Sequence, residues 1–557
     1  MSSHSYSIAA IVAILALGLW LRLTGLAELG LGFDELQHIY AARGLNEVGE
    51  PVLPSGRIYD RSLDFSQMVA LSTSLFGDTA FSARLPSALF GTATILLVFW
   101  IGRTLLGTGP ALLAALLICA LPFELVWART CRMYAVYQFF YLLAGYAFYR
   151  GFEPGPSPPG PITRMAERLP MGWILTLGGQ VRPGWLVVSL LSLLAAARLH
   201  SLTGLLGVSI LAYAGALAGL VAVRDGWHAL LRSKYLTLTL ACLAAVAIVA
   251  LIPGMLDEIV RQLRFRPDWV GDARPQPTYY LRFLDSPTLT PMSIFFLLGC
   301  VLTVTRAQRG AFFAAVLAIV PLAFHSVVAL TQSPRYIYDC FPWIVLLSSW
   351  AGCSLFAPER DRLRESARAI LPSSPLWDRA IQGSLTALIV GCFLVLPTGL
   401  RNGTRSALQQ GATAGGQYNV AWAEACAFLS REMGSQDTLL ASIPLAADYE
   451  GCPAVAYNLD NGEIDQFLPG ESARFPRHVF ADTPAIIDLA GLEEVLAEPG
   501  RYWLATDTQR FANAGNTPSD VRDYVIQEFE PRWTAPDGTI SIFVRPLPSG
   551  APGIADS

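Results

Sequence analysis

Two carboxylates stand side by side at Asp34 and Glu35, just beyond a long apolar run. Other ionisable residues repeat that placement. Glu124 closes a third apolar run, Arg129, Arg132 and Tyr134 stand at the start of a fourth, and Arg198 with His200 joins a fifth to a sixth. His325 lies late in a ninth run, while Arg335, Tyr336 and Asp339 open a tenth. Ionisable groups at membrane depth are costly and are functional candidates by default. Taken singly, each also reads as a snorkelling side chain or a helix-end ion pair. Taken together they suit removal of a proton coupled to departure of a phosphate. A carboxyl whose pKa is raised by partial burial can act as a general base. Fixed guanidinium groups stabilise charge developing on a phosphate oxygen. The sequence contains no HExxH, GxSxG or Walker A pattern, so metalloprotease, elbow-hydrolase and NTPase chemistries have no support. Its Cys and His spacing suggests neither a zinc nor a haem site.

The elements that would carry these residues are membrane spans. Of 557 residues, 53% are hydrophobic and 15% charged, against about 25% charged in soluble globular chains. Apolar runs near 6–26, 86–106, 109–127, 132–150, 183–199, 201–223, 235–254, 291–305, 311–331, 336–356 and 382–400 make eleven candidate spans. The first lacks a basic n-region and a small-residue cleavage site, and reads as a retained helix. Arg and Lys are biased towards the loops after even-numbered spans, notably 357–381, which places those loops and the N-terminus inside. Every polar candidate then sits at the outer end of its helix, which points to a polar cavity opening outwards.

Charge divides the chain in two. Residues 1–400, the expected membrane domain, hold 29 bases against 22 acids; residues 401–557 hold 10 against 21. The acidic tail alternates β-type runs (TLLASI, PAIIDL, YWLATD, ISIFV) with helical ones (WAEACAFLSREM, LEEVLAE, VRDYVIQEF), which predicts a small soluble α/β domain on the outer side. Its charge argues against a nucleic-acid partner. Cys426 and Cys452 share this tail, and spacing alone does not decide whether they pair. The segment 256–290 mixes Arg, Trp and Tyr with apolar residues and reads either as a lid or as a plain interfacial loop.

Four stretches carry a family resemblance. GLGFDELQHIYAARG (30–44), with its aromatic-Asp-Glu motif, resembles the first outer loop of GT-C fold glycosyltransferases of the protein O-mannosyltransferase and lipid A aminoarabinose transferase type. ARLPSALFGTATILLVFWIGRTLLG (83–107), LPFELVWARTCRMYAVY (121–137) and SPRYIYDCFPWIVLLSSW (333–350) resemble that family's Arg-Leu-Pro, Arg-Met-Tyr and Pro-Arg-Tyr stretches, in the same order. The resemblance implies inverting transfer of a monosaccharide from a polyprenyl-phosphate donor to a hydroxyl of a lipid, glycan or protein, on the periplasmic side of a bacterial inner membrane.

Carried over residue by residue, the resemblance makes Asp34 the general base. Glu35 either orients the acceptor and tunes Asp34, or simply caps its helix. Arg132 and Arg335, with Tyr336, fall to the lipid phosphate. Arg84 falls either there or to a structural ion pair. Glu124, Arg129, Tyr134, His200 and Asp339 are further cavity candidates. Relatives usually carry an acid two residues before the Arg of Arg-Met-Tyr, where this chain has Thr130, with Glu124 as a substitute. A divalent metal is therefore left open, with no cofactor firmly implied. A transporter or flippase for a lipid-linked or anionic substrate is the rival reading. It is disfavoured because transport sites lie near the midplane of repeated halves.

Overall fold

A computed structural model of the protein describes residues 3–153, 181–254, 275–354, 400–406, 408, 420–459 and 475–546. The chain opens with α1 (Ser3–Leu23), two short helices α2 (Phe33–Glu47) and α3 (Leu63–Phe76), and the long α4 (Ala80–Leu105). Then come α5 (Thr108–Ala120), α6 (Pro122–Ala128) and α7 (Tyr134–Phe152). Further apolar helices cover Pro183–Leu199, Gly204–Asp225, Lys234–Leu251, Thr290–Arg306, Arg309–Val327 and Phe341–Cys353. The protein is a multi-pass membrane protein. Side chains such as Leu190, Leu194, Leu220, Leu240 and Leu297 stay exposed on these helices, as a lipid-facing surface requires.

Helices occupy ten of the eleven expected spans among the described residues. Among the described residues, four helices are long and apolar enough to cross a bilayer alone, and a fifth span forms if α5 and α6 count as one. Several others are shorter; Pro183–Leu199 and Thr290–Arg306 have 17 residues each, about 25 Å at the helical rise. The expected spans from 183 to 223 and at 291–305 are nonetheless helical. The run 382–399 and the 357–381 loop lie outside the described residues, as do 256–274 of the expected lid and most of the 151–161 linker.

The third expected span is bent by 60° between α5 and α6. Pro122 follows Leu121, whose backbone is extended (φ −62°, ψ 128°), as the residue before a proline prefers. Buried arginines fill the helix ends this architecture exposes. Arg22 of α1 donates to the carbonyls of Ile118 and Cys119 at the end of α5. Arg129, after α6, donates to the carbonyls of Leu21, Arg22, Thr24 and Gly25 at the end of α1. Cations are favoured at helix C-termini, where four carbonyls lack partners.

The tail forms the expected α/β domain, with one expected strand absent and two others added. Strands β1 (Thr438–Ala441), β2 (Val455–Asn458), β3 (Tyr502–Asp507), β4 (Glu530–Thr534) and β5 (Ile540–Arg545) make one sheet in the order β2-β1-β3-β5-β4. β1 is parallel to β2 and β3, whereas β5 is antiparallel to β3 and β4. Every residue of the central strand β3 is buried, matching its apolar run. PAIIDL is not a strand; it contributes only isolated bridges at Ala485 and Pro484. The missed strands are the sheet's edges: β2 is short and half-buried, and β4 is largely exposed and contains Pro531, which an edge strand tolerates. Cys426 and Cys452 form a disulfide between the helix Trp422–Glu432 and the approach to β2.

This domain sits on α2. Tyr40 donates to Asp448 and to the Leu445 carbonyl, and Arg43 lies over the Tyr449 ring at 4.7 Å. At the other end of α2, Phe33 is covered by Arg510 at 4.5 Å and by the rings of His478 and Phe480. Gly30 abuts the backbone of Val420 so closely that a Cβ there would clash with its carbonyl.

Candidate active site

The adjacent carboxylates Asp34 and Glu35 have different fates. Helix α2 starts after Gly32, and Glu35 Oε2 accepts the Gly32 N–H at 2.9 Å, forming the helix cap. Glu35 also pairs with Arg84 through both oxygens at 2.8 Å and accepts the Cys131 N–H at 2.7 Å. Arg84 uses its remaining N–H groups on the carbonyls of Leu26, Leu29 and Gly30. Both side chains are fully enclosed, with 0% and 1% of Glu35 and Arg84 exposed. The five N–H donors of an arginine are thus engaged inside the fold. The expectation that Arg84 contacts the donor phosphate is corrected accordingly: of its two readings, the ion pair is the one present, and of Glu35's two readings, the cap.

Asp34 lies on the other side of α2 and remains 31% exposed. Arg335 Nη1 reaches its Oδ2 at 3.2 Å, and Arg132 Nη2 approaches the same oxygen at 3.5 Å. Arg132 also donates to the Asp34 backbone carbonyl at 3.0 Å. Its own carbonyl accepts the Ser87 hydroxyl from α4. Burial acts to raise the Asp34 pKa, but Arg132, Arg335 and Arg61 outweigh it and hold the carboxyl at about 2. Arg61, which the sequence did not single out, makes this a cluster of three guanidinium groups around one carboxylate. The cluster carries an excess of positive charge.

Aromatic rings line the cluster. Arg132 lies 5.9 Å from the centroid of the Tyr134 ring and Arg335 5.4 Å from that of Tyr336. His200 sits against Tyr134 and Tyr137, and its Nδ1 accepts the Leu202 N–H at 3.2 Å. Burial, then the charges of Arg61, Arg132 and Arg335, lowers His200 to about 3, so the imidazole is neutral. His38 follows Asp34 by one helical turn and bonds Ser66 at 2.9 Å. Burial, then the charges of Arg132 and Arg61, push it well below the usual histidine range.

The remaining expected residues lie apart from this cluster. Arg129 is the helix-end cation described above and faces the end of α1. Glu124 accepts from Gln138 at 3.1 Å, and Asp339 accepts from Tyr137 at 3.0 Å and from the Cys340 N–H. Both are buried carboxylates of the helix interior. Glu124 is engaged by Gln138 and not by the arginines around Asp34, so its role as a substitute acid gains no geometric support.

A cleft of about 270 Å³ opens over Asp34 and Arg335. Its other walls belong to the soluble domain: Val420, Ile443 and the turn carrying Asp507, Gln509, Arg510, Asn513 and Asn516. No motif marks TDTQRFANAGN in the sequence; only its run of small polar residues after a strand hints at a surface turn. Among the described residues, no group of three His, Cys, Asp or Glu side chains converges as metal ligands would. The charged neighbours of Asp34 are guanidinium groups, which compete with a divalent ion for its oxygens and do not fit one.

Comparison with known proteins bears on this fold and site. A family model described as dolichyl-phosphate-mannose-protein mannosyltransferase matches residues 60–157. No curated protein matches the sequence. Among solved structures, ArnT from Cupriavidus metallidurans bound to undecaprenyl phosphate is similar at 15% identity, TM-score 0.55, covering 99% of this chain and 100% of that one. Its apo form is similar at 16% identity, TM-score 0.53, with 98% of each chain covered. The oligosaccharyltransferase AglB from Archaeoglobus fulgidus, in complex with an inhibitory peptide and a dolichol-phosphate, shares 10% identity with a TM-score of 0.55, over 98% of this chain and 75% of that one. The chain therefore has the GT-C fold of these membrane transferases, with the small sheet domain appended.

The two carboxylates should separate in a stability measurement. Glu35→Ala leaves Arg84 buried without its counter-charge, a loss of about 3–5 kcal/mol. It should lower the thermal midpoint of the detergent-solubilised chain sharply. Asp34→Asn should cost much less, because the site is partly open and the amide oxygen still accepts from Arg335. The reverse order would contradict the division of roles.

Proposed function

We propose that the protein is an inverting glycosyltransferase that moves a monosaccharide from a polyprenyl-phosphate donor to a hydroxyl of a lipid, glycan or protein acceptor. The observation that carries this reading is the Asp34 carboxylate held between Arg132 and Arg335 at the mouth of a membrane helix bundle. A base and an anion seat share one place there. The match to mannosyltransferase models over 60–157 and the similarity to an undecaprenyl-phosphate-bound structure support the lipid-phosphate donor. The Arg/Lys bias of the loops and the Cys426–Cys452 disulfide support a bacterial inner-membrane location with the C-terminal domain in the periplasm, where disulfides persist.

In this mechanism the acceptor oxygen attacks the anomeric carbon from the face opposite the phosphate. The new C–O bond forms as the bond to the phosphate oxygen breaks. Asp34 takes the acceptor's proton, and the electron pair leaves with the phosphate, whose growing charge Arg335 and Arg132 stabilise. Tyr336 and Tyr134 flank those two guanidinium groups and limit their freedom. A carboxylate held at about 2 is a weak base. The donor phosphate corrects this, because it draws Arg335 and Arg132 to itself and so restores the basicity of Asp34 only when a sugar is in place. The arginines do the work a metal would do at a departing phosphate, so transfer proceeds without a divalent ion.

The assay is transfer of labelled sugar from the donor lipid by the full chain in membranes or detergent. Asp34→Asn should reduce transfer about 10²–10⁴-fold; parental transfer by a folded variant would sink the assignment. Asp34 is depressed, so its active, ionised form is present above about pH 2 and is lost only as pH falls through that value. The acid limb of kcat/KM should therefore lie below the ordinary aspartate range. Arg335→Gln should move that limb upwards, and the limb of kcat should lie above that of kcat/KM. In the same assay, EDTA should leave the parental rate unchanged; a rate abolished by EDTA and restored by a divalent cation would overturn the metal-free reading.

A further inference from the structure

The soluble domain's sheet has a switch point that faces Asp34. From β1 the chain goes to β2 on one side, then crosses back to β3 on the other, and all three strands are parallel. In open α/β sheets, connections leaving neighbouring parallel strands in opposite directions leave a crevice at the strands' carboxyl ends, where ligands bind. Here that place lies between the ends of β1 and β3. The cleft over Asp34 is lined at this place by Ile443, just after β1, and by Asp507 to Asn516, which follow β3. Two independent features coincide: the crevice expected from topology, and the cavity that contains the base.

The lining also states a chemistry. Gln509, Asn513 and Asn516 bring three carboxamides to one wall, and Phe33, Val420 and Ile443 supply an apolar floor. Carboxamides donate and accept at once, which matches hydroxyl groups that also do both. Asn513 accepts the Gly515 N–H at 3.0 Å, which fixes its side chain and leaves its NH₂ group as the donor it offers. Asp507 accepts the N–H groups of Gln509 and Arg510 at 2.8 and 3.1 Å, holding the turn in shape. A volume of about 270 Å³ is just under the roughly 300 Å³ at which pockets begin to enclose drug-sized ligands, and suits about one or two sugar rings. An extended peptide would instead seek a free sheet edge, and the wall here is a turn after the central strand.

We infer that this cleft is the acceptor subsite, and that the acceptor is a glycan whose hydroxyl-bearing terminal sugar is held by Gln509 and Asn513 over Asp34. The inference rests on the glycosyltransferase reading for the word acceptor, but the saccharide site stands on its own geometry. Saturation-transfer NMR on the full chain in nanodiscs tests it, with maltotriose, cellotriose and mannotriose as probes and a serine- and threonine-rich peptide as the alternative. At least one trisaccharide should show transfer to its ring protons. That signal should fall at least fivefold in Gln509→Ala/Asn513→Ala and persist in Glu530→Gln, on the exposed edge strand β4. No saccharide signal, a signal unchanged in the double variant, or a signal from the peptide alone would overturn the inference. Binding of undecaprenyl phosphate, measured on the same samples, reports on the transferase reading separately: its absence would remove that reading while the saccharide result kept its own meaning.

Discussion

The buried pair between Glu35 and Arg84 is the contact on which the rest of the site depends. It joins the start of α2 to the long helix α4, and through the Cys131 N–H it reaches the turn that carries Arg132. Two charges taken out of water must be fully paired to be tolerated, and here every oxygen and nitrogen of the pair has a partner. Because that geometry cannot slip, the preceding residue, Asp34, is held facing Arg132. A buried structural carboxylate thus positions the partly exposed one.

This arrangement explains why chemistry sits at the boundary between two bodies of opposite charge. The membrane domain provides the arginines and the carboxylate; the acidic domain closes the cleft from above, gripping α2 through Tyr40 at one end and Phe33 at the other. Phe33 is the neighbour of Asp34, so the covering domain and this carboxylate are mechanically linked. A phosphate entering between the arginines would change the charge at the floor of a cleft whose wall belongs to another domain.

Much of this was legible in the sequence. Asp34, Arg132 and Arg335 were picked out because charge is costly near apolar runs, and they meet. The soluble domain was visible from alternating runs and from the acids of residues 401–557. What was not legible has physical reasons. Arg84, Arg129 and Glu35 carry the same charges as the site residues, but Arg129 is spent on backbone carbonyls, and Arg84 and Glu35 on each other and on backbone groups, pairings that have no signature in sequence. Edge strands β2 and β4 lack the buried apolar pattern by which β3 is read. Gln509 and Asn513 come to the site only because the sheet order reverses between β1 and β3, a property of topology. The apolar runs located the helices but not their bends or ends: they do not say that Pro122 will break one or that another stops at 17 residues.

In the proposed mechanism Asp34 and a lipid phosphate compete for the same two guanidinium groups. Titration of the detergent-solubilised full chain with undecaprenyl phosphate tests this directly. The account predicts that Asp34→Asn binds the lipid more tightly than the parental chain, since it removes the competing carboxylate, and that Arg335→Gln binds it at least tenfold more weakly. Asp34→Asn binding no more tightly, together with Arg335→Gln binding as well as the parental chain, would contradict it.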